Sequence, residues 1–287
     1  MNSLIHRENS QSADHNFSNI YMWDGTYHQE VAELYGCLAI RLGYSDQPFY
    51  AYPIGKGDTG RAISALRTDA ATHGVPLQLR GILKEQLSLL EQMFPGEFTV
   101  KEDRFVFDYL YSAEKLVTLS GKKLQSKRNH INRFVEHCPN WSFTPVTPDN
   151  IHLCREFQRA WLTSHTDRDS AELMAEDLAL TRCFDNFEAL GMEGGLLLDG
   201  ETVLAFTFGE PLNTDTYIVH FEKASLDVQG AYPMINREFV RYISERHPEM
   251  LFINREDDTG LENLRKAKLS YCPERFVEKY TATWVQP

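Results

Sequence analysis

The chain has 287 residues, with 29 Lys and Arg against 41 Asp and Glu, so its formal net charge is -12 at neutral pH. This length suits two domains of ordinary size better than one. The acidic balance argues against a protein that coats nucleic acid, because such proteins usually carry a basic domain, but it is compatible with one local anion site.

The N-terminal stretch MNSLIHRENSQSADHN is polar and lacks the apolar region of a signal peptide. We therefore expect a disordered tail over residues 1–16. No run approaches the ~20 apolar residues of a membrane-spanning helix. The 5 cysteines are widely spaced and form no CxxC pair. These features predict a cytoplasmic protein with reduced thiols, no structural metal and no transmembrane segment.

Helix and strand patterns alternate through the first half. HQEVAELYGCLAIRLG begins as a helix, and PFYAYPIG is strand-like. GRAISALRTDAATHG places Ile63, Leu66 and Ala70 on one helical face before a glycine stop signal. VPLQLRGI then predicts a strand, LKEQLSLLEQMF a helix, and FTVKEDRFVFDYLY two strands around a charged turn.

The second half repeats this alternation. WSFTPV predicts a strand and TPDNIHLCREFQRAWL a helix, followed by a helix in RCFDNFEAL and a hairpin in GGLLLDGETVLAFTFGE. TYIVHFEKA, MLFINRE and FVEKYTATW predict strands, with helices in YPMINREFVRYISERH and LENLRKAKLSY. The pattern predicts an α/β (α+β) fold of two units, each with helices packed on a sheet.

A small basic island lies between the two units, in LSGKKLQSKRNHINRFVEH (residues 119–137). Its candidate anion-binding residues are Lys122, Lys123, Lys127 and Arg128. The apolar residues of this stretch recur on one helical face, and Arg128 falls within about 40° of the centre of that face. Arg128 then either extends along the apolar surface to solvent, pairs with an internal carboxylate, or binds an anionic ligand.

The segment GKGDTG (residues 55–60) matches the glycine pattern of dinucleotide-binding loops, between a strand and a helix. The next strand ends without the acidic residue that would bind a ribose. A phosphate site at a helix N-terminus and a simple turn are the alternatives, and the pattern favours the turn.

A second candidate site lies near the C-terminus. A strand carrying His220 and Glu222 leads to Gly230 and a helix, which is the arrangement of an anion cradle. Glu222 is a candidate general base and Tyr271 a candidate general acid, a pairing that suits acyl transfer. Arg255 and Lys268 are candidate anion-binding residues. The alternative is an exposed, salt-bridged helix with a tyrosine used for packing.

The stretches LSGKKLQSKRNHINRF, INREDDTGLENLRKAKLSY and PIGKGD resemble a bacterial family related to the C-terminal domain of phosphatidylglycerol lysyltransferase, over residues 18–285. This resemblance implies two tandem GNAT-like (acyl-CoA N-acyltransferase-like) domains joined by a connecting helix. The implied domains are 17–115 and 141–287, with the connecting basic helix at 116–140. Related enzymes move an aminoacyl group from aminoacyl-tRNA to a lipid or a peptidoglycan precursor.

The sequence departs from the GNAT pyrophosphate loop, Gln/Arg-x-x-Gly-x-Gly/Ala. Gly230 is in place, but Asp227 and Tyr232 occupy the flanking positions. An acidic residue there repels a pyrophosphate, which weakens the case for coenzyme A. In the segment that resembles Asn-x-x-Ala-x-x-x-Tyr, Ala267 and Tyr271 fit, whereas Leu264 replaces the asparagine.

Three functions therefore stay open. The first is an acyltransferase or aminoacyltransferase that uses aminoacyl-tRNA and a small-molecule or cell-envelope precursor as acceptor. The second is an N-acetyltransferase that uses a coenzyme A thioester. The third is a non-enzymatic module that binds RNA or a protein partner on the same scaffold.

Overall fold

A computed structural model describes residue 5 and residues 9–43, 46–164 and 170–285. Part of the predicted disordered tail, residues 1–4 and 6–8, lies outside the described residues. The chain divides into two units. Unit 1 comprises Met1–Asp108, Asp257–Leu261 and Phe276–Pro287, and unit 2 comprises Tyr109–Glu256 and Glu262–Arg275.

Helices and strands alternate along the chain. As far as Ser112 the elements are α1 (Phe17–Tyr27), β1 (Glu30–Leu34), β2 (Cys37–Leu42), β3 (Phe49–Ala51), α2 (Thr59–Thr72), β4 (Gln78–Leu83), α3 (Lys84–Met93), β5 (Phe98–Glu102) and β6 (Asp108–Ser112). They continue as α4 (Ala113–Thr118), α5 (Gln125–His137), β7 (Trp141–Pro145), α6 (Ile151–Thr163), α7 (Ser170–Asp185), β8 (Glu193–Asp199), β9 (Thr202–Pro211), β10 (Thr216–Ala224), α8 (Ala231–Arg246), β11 (Phe252–Asn254), α9 (Glu262–Leu269), β12 (Arg275–Val277) and β13 (Lys279–Trp284). The fold is mixed α/β with two sheets.

Unit 1 contains a six-stranded sheet in the order β1-β2-β3-β4-β13-β5. Only β3 and β4 run parallel in this sheet, and the other neighbours are antiparallel. Strand β13 pairs with β4 on one side and β5 on the other, with Ala282 opposite both Leu79 and Val100. The sequence predicts this strand within the 141–287 domain, whereas its hydrogen bonds are with β4 and β5, which end by Glu102.

The first two strands correct a predicted element. HQEVAELYGCLAIRLG has the start of a helical pattern, but residues 30–42 form a β-hairpin with Leu34 opposite Cys37. Tyr35 and Gly36 make the turn, with φ values of 53° and 80°. Two consecutive residues in the left-handed region form a tight hairpin turn and cannot continue a helix.

Residues 9–16, which belong to the predicted tail, are anchored to unit 1. Ser12, Ala13 and His15 are buried. The Ala13 amide donates to Asp108 Oδ2 at 2.8 Å, and Lys279 Nζ donates to Asp108 at 2.8 Å and to Asp14 at 3.0 Å. Burial opposes the charge of Lys279, but the two carboxylates outweigh burial and raise the pKa of this lysine. The polar residues of this segment therefore take part in an ion-pair network around Asp108 and Lys279.

The second sheet has seven strands in the order β12-β6-β11-β10-β9-β8-β7. Strands β10 and β11 run parallel, and their ladder ends at the pair Ile218 and Asn254. Strand β10 continues to Ala224 alongside β9, with a bulge between Val219 and Phe221. Beyond Asn254 the sheet therefore opens between β10 and the segment that follows β11.

None of the helices within the described ranges has the length and apolar content needed to cross a bilayer. All 5 cysteines lie within the described ranges and are free thiols. The described residues contain no group of three or more side chains that could hold a metal ion.

Candidate functional site

The opening between β10 and the segment after β11 in unit 2 holds two adjacent charged pairs. Glu222 on β10 faces Arg255, and His220 on the same strand faces Glu256. The carboxyl ends of parallel strands are where open α/β sheets place ligands. We therefore take this opening as the candidate functional site.

The first pair has unsatisfied hydrogen-bonding atoms. Arg255 Nη2 donates to Glu222 Oε1 at 2.9 Å, and Asn236 Nδ2 on α8 donates to Glu222 Oε2 at 3.0 Å. Arg255 Nη1 and Asn236 Oδ1 are buried and have no hydrogen-bond partner among the described residues. A buried donor or acceptor without a partner costs about 1–3 kcal/mol. A ligand that reached these two atoms would satisfy both of them.

Aromatic rings and a lysine surround this pair. The Arg255 guanidinium lies 5.0 Å from the centre of the Tyr271 ring and 5.7 Å from that of Tyr111. Lys127 Nζ, from α5, lies 4.0 Å from the centre of the Tyr271 ring. Both cations are thus held beside aromatic faces, which stabilise positive charge.

Burial changes the acidity of these groups. The pKa of Tyr271 is raised, mainly by burial, so its phenol keeps its proton. Burial and then the Arg255 charge lower the pKa of Lys127 to about 8. Burial also opposes the charge of Arg255, but the Glu222 carboxylate raises the pKa of this guanidinium. The site therefore combines a fixed cation, a neutral phenol and an amine that titrates near neutral pH.

The second pair belongs to a carboxylate–imidazole–carboxylate chain. His220 Nδ1 lies 2.8 Å from Glu256 Oε1 and His220 Nε2 lies 3.2 Å from Glu210 Oε1. The His220 side chain is 1% exposed. Burial opposes its charge, but the bonds to Glu210 and Glu256 raise its pKa to about 9. His220 therefore carries a proton at neutral pH and donates to both carboxylates.

The segment that carries Arg255 is fixed on several sides. Glu256 has a φ of 55°, and its amide donates to Asn254 Oδ1 at 2.6 Å. Lys268 Nζ donates to the Arg255 carbonyl at 2.6 Å, and the Arg255 amide donates to the Tyr109 carbonyl at 3.0 Å. The backbone of Arg255 is therefore fixed before any ligand binds.

Arg128, which the sequence places near the inward face of its helix, binds backbone carbonyls. Its guanidinium donates to the carbonyls of Leu119 and Gly121 and to the side chain of Gln125. Leu119 caps the C-terminus of α4, where carbonyls lack helical partners. Lys127, one residue before Arg128, is the basic side chain of α5 that lies against the Tyr271 ring.

Gly230 is required by close packing. It lies before α8 with a φ of 91°, and a β-carbon at this position would lie 2.3 Å from the His130 carbonyl oxygen and 2.9 Å from Phe134 Cβ. Helix α5 thus fills the space beside the Gly230 α-carbon. The glycine allows this approach of two helices, a role that its position in an anion cradle does not predict.

The residues proposed from the sequence fall into two groups. Glu222, Arg255, Tyr271, Lys127 and Lys268 come together in unit 2. The residues outside this cluster are the exposed Lys122 and Lys123, together with Arg128 and Gly230.

Sequence reasoning missed Asn236, Tyr111 and Glu210. Asn236 carries a recognisable signal, because it is an amide at helical spacing from the apolar residues Phe239, Val240 and Ile243 of α8.

Comparison with known proteins gives a consistent result. Residues 6–283 match the family described as "Phosphatidylglycerol lysyltransferase, C-terminal". The chain is 26% identical over 180 residues to an uncharacterized protein of Mycoplasmoides gallisepticum. The aligned region covers 60% of this chain and 54% of that relative. The chain thus spans about half the length of this curated relative.

Solved structures share the fold. A conserved protein of unknown function from Bacteroides thetaiotaomicron has 37% identity and a TM-score of 0.89, with 99% of this chain and 96% of that chain covered. The C-terminal domain of a putative lysylphosphatidylglycerol synthetase from Agrobacterium fabrum has 14% identity and a TM-score of 0.70, covering 99% and 90%. L-PGS from Bacillus licheniformis has 14% identity and a TM-score of 0.64, covering 93% and 86%.

Proposed function

The chain belongs to the phosphatidylglycerol lysyltransferase C-terminal family, and from this premise we propose that it transfers an acyl group to an amine or hydroxyl acceptor. The acyl group that we propose is an aminoacyl ester of tRNA, and the acceptor is a small molecule or a cell-envelope precursor in the cytoplasm. One observation carries the proposal. Beside Glu222, Arg255 keeps a buried donor atom and Asn236 a buried acceptor atom without a partner among the described residues.

An aminoacyl ester fits this pair of atoms. Its carbonyl oxygen is an acceptor and its amino group is a donor, and two carbon atoms separate them. In the proposal, Arg255 Nη1 binds the carbonyl oxygen, where negative charge develops as the nucleophile adds, and Asn236 Oδ1 accepts from the amino group. A donor that is already oriented towards a developing oxyanion contributes about 2.7–4 kcal/mol to catalysis in well-studied enzymes.

Glu222 and Tyr271 have different roles in this proposal. The sequence suggests Glu222 as general base, but its two carboxylate oxygens accept bonds from Arg255 and Asn236 at 2.9 and 3.0 Å. We therefore assign it to orienting those two side chains. Tyr271 is buried with a raised pKa and keeps a proton that it can donate to the leaving oxygen.

The basic residues outside the cluster have a role at longer range. Lys122 and Lys123 are exposed on a short 3-10 helix before α5. In the proposal they bind phosphates of the tRNA acceptor end, so affinity falls as salt concentration rises.

The finer architecture is part of the same proposal: two GNAT-like domains in tandem, joined by a helix at 116–140. The observation that supports it is that each of the two sheets contains a parallel pair, β3 with β4 and β10 with β11.

The test is a transfer assay with the full chain. tRNA charged with a single radiolabelled amino acid is the donor, and each of the amino acids is tried in turn. Phosphatidylglycerol vesicles and a nucleotide-linked peptidoglycan precursor are the acceptor probes. We expect label to move to one acceptor, and Arg255→Lys to reduce the rate by about 100-fold or more, because an ammonium lacks the planar fork with which a guanidinium holds Glu222 and a carbonyl oxygen in fixed directions.

Two other outcomes would indicate a different function. Release of free thiol from acetyl-coenzyme A, with stabilisation by about 1.4 kcal/mol at ten times the dissociation constant, indicates an N-acetyltransferase. Salt-sensitive binding of aminoacyl-tRNA without transfer to any probe indicates a binding module. Either result contradicts the proposed aminoacyl transfer.

A further inference from the structure

We infer that Lys127 is the proton acceptor of the transfer reaction and takes the proton that the attacking amine or hydroxyl loses as the new bond forms. This inference rests on the proposed acyl transfer. It gives Lys127 a role different from the anion binding that the sequence predicts for it.

The position of Lys127 follows from the helical face that it occupies. Leu124, Ile131 and Phe134 are buried and lie three residues before, four after and seven after Lys127. Residues at these spacings share one face of a helix, so the lysine stem lies against the core. The amine emerges 4.0 Å from the centre of the Tyr271 ring.

The surroundings of the amine disfavour its charged form. Lys127 makes no ion pair or hydrogen bond with any residue that the structure describes, and its polar contact is with the Tyr271 ring. Four groups face it: Arg255 after β11, Glu222 on β10, and Tyr271 and Cys272 after α9. Arg255 opposes protonation, whereas Glu222 and Cys272 favour it, and burial is the largest effect. With a pKa of about 8, a substantial fraction of the amine is neutral near physiological pH.

A neutral amine here completes the reaction. The acceptor nitrogen or oxygen forms a bond to the acyl carbon, and its proton moves to Lys127 Nζ. The ester C–O bond then breaks, and the leaving oxygen takes a proton from Tyr271. The Tyr271 oxygen recovers a proton from the Lys127 ammonium by way of solvent, because the amine lies over the ring face and not beside the hydroxyl, so both side chains return to their starting state. Arg255 cannot replace Lys127, because a guanidinium does not give up its proton in proteins.

The first test measures Lys127 without any reaction. The folded protein is treated with trace acetic anhydride over a pH series, and peptide mass spectrometry reports the modification of each lysine. Lys122 and Lys123, exposed on the preceding turn, are the internal reference. We expect a labelling midpoint for Lys127 at a pH of about 8, below its ordinary pKa of 10.5.

Two variants move this midpoint in opposite directions. Arg255→Gln removes a positive charge and is expected to raise the Lys127 midpoint. Glu222→Gln removes a negative charge and is expected to lower it. A wild-type midpoint near 10.5, or shifts of the same sign in both variants, overturns the inference even if transfer occurs.

The second test separates a base from an anion-binding cation. Lys127→Arg keeps the positive charge but cannot accept a proton, and Lys127→Gln removes both. We expect both variants to lose transfer by about 100-fold or more, with circular dichroism unchanged. If Lys127→Arg keeps the wild-type rate, the residue binds an anion and the inference is wrong. If wild-type protein transfers nothing, the proposed function fails and the base role fails with it, whereas the labelling midpoint still reports the acidity of the amine.

Discussion

Replacing His220 by glutamine should make the stability of unit 2 less dependent on pH. The buried His220 ring donates to Glu256 at 2.8 Å and Glu210 at 3.2 Å. Its pKa is about 9 in the folded protein and 6.5 in an unfolded chain, a difference of about 2.5 units. At about 1.4 kcal/mol per unit, proton binding contributes about 3 kcal/mol to the free energy of unfolding. Because the folded pKa is raised, this contribution is complete below pH 6.5 and is lost as pH rises through about 9.

The assay is urea unfolding of wild-type protein and His220→Gln between about pH 6 and about pH 9.5. We expect the wild type to exceed the variant by about 3 kcal/mol more at the acidic end than at the alkaline end. His247→Gln is the control, because His247 also contacts a glutamate, Glu193, at 2.8 Å, but its side chain is 23% exposed and solvent weakens the pair. A difference between wild type and His220→Gln that stays flat or grows with pH contradicts the reasoning, as does a ring titration of His220 by NMR near 6.5.

Three further outcomes are expected. Gly230→Ala should lower the free energy of unfolding by about 2–4 kcal/mol, because it adds backbone strain and a clash with α5. Gly200→Ala is the control and should cost about 1 kcal/mol, because the space around its α-carbon is open. Equal losses for the two variants in thermal or urea melts would contradict the packing role of Gly230. Lys279→Ala should lower the free energy of unfolding by about 3–5 kcal/mol, because it leaves buried Asp108 without its cation. Lys84→Ala, at an exposed lysine, should change it by no more than about 0.5 kcal/mol. A small loss for Lys279→Ala in the same melts would argue against the ion-pair network. Burial raises the pKa of Cys183 to about 12, so a thiol reagent should leave it unmodified in folded protein near pH 8, and rapid native-state labelling would refute this.

Much of the fold follows from sequence patterns because they are local. The helix at Thr59–Thr72 has an apolar stripe and the stop signal Gly74, and the β8–β9 hairpin has its turn near Gly200. The hairpin at residues 30–42 does not follow in this way, since HQEVAEL also fits a helical period and the turn at Tyr35 decides the outcome. The sheet partners of β13 depend on pairing across about 200 residues, which no local pattern encodes.

The residues of the candidate site can be found from local sequence, whereas their contacts depend on the fold. Tyr271 is found from motif resemblance, Glu222 from its position on a strand, and Arg255 from its position after a buried strand. Their mutual contacts require the parallel strands β10 and β11 to separate after Ile218, and strand separation leaves no mark in composition. Among the residues that the structure describes, Arg128 binds neither an internal carboxylate nor open solvent alone, because the short 3-10 helix before α5 brings the Leu119 and Gly121 carbonyls within reach of its guanidinium.

The placement of β13 constrains the order in which the molecule can be built during translation. The two strands that it separates, β4 and β5, are synthesised before any of unit 2, yet the edges that face β13 find their partner only after residues 279–284 emerge. Until then the nascent chain exposes two unpaired strand edges, which are the surfaces that chaperones shield and that aggregates recruit. Unit 2 therefore has the opportunity to fold first, although most of it follows unit 1 in the sequence.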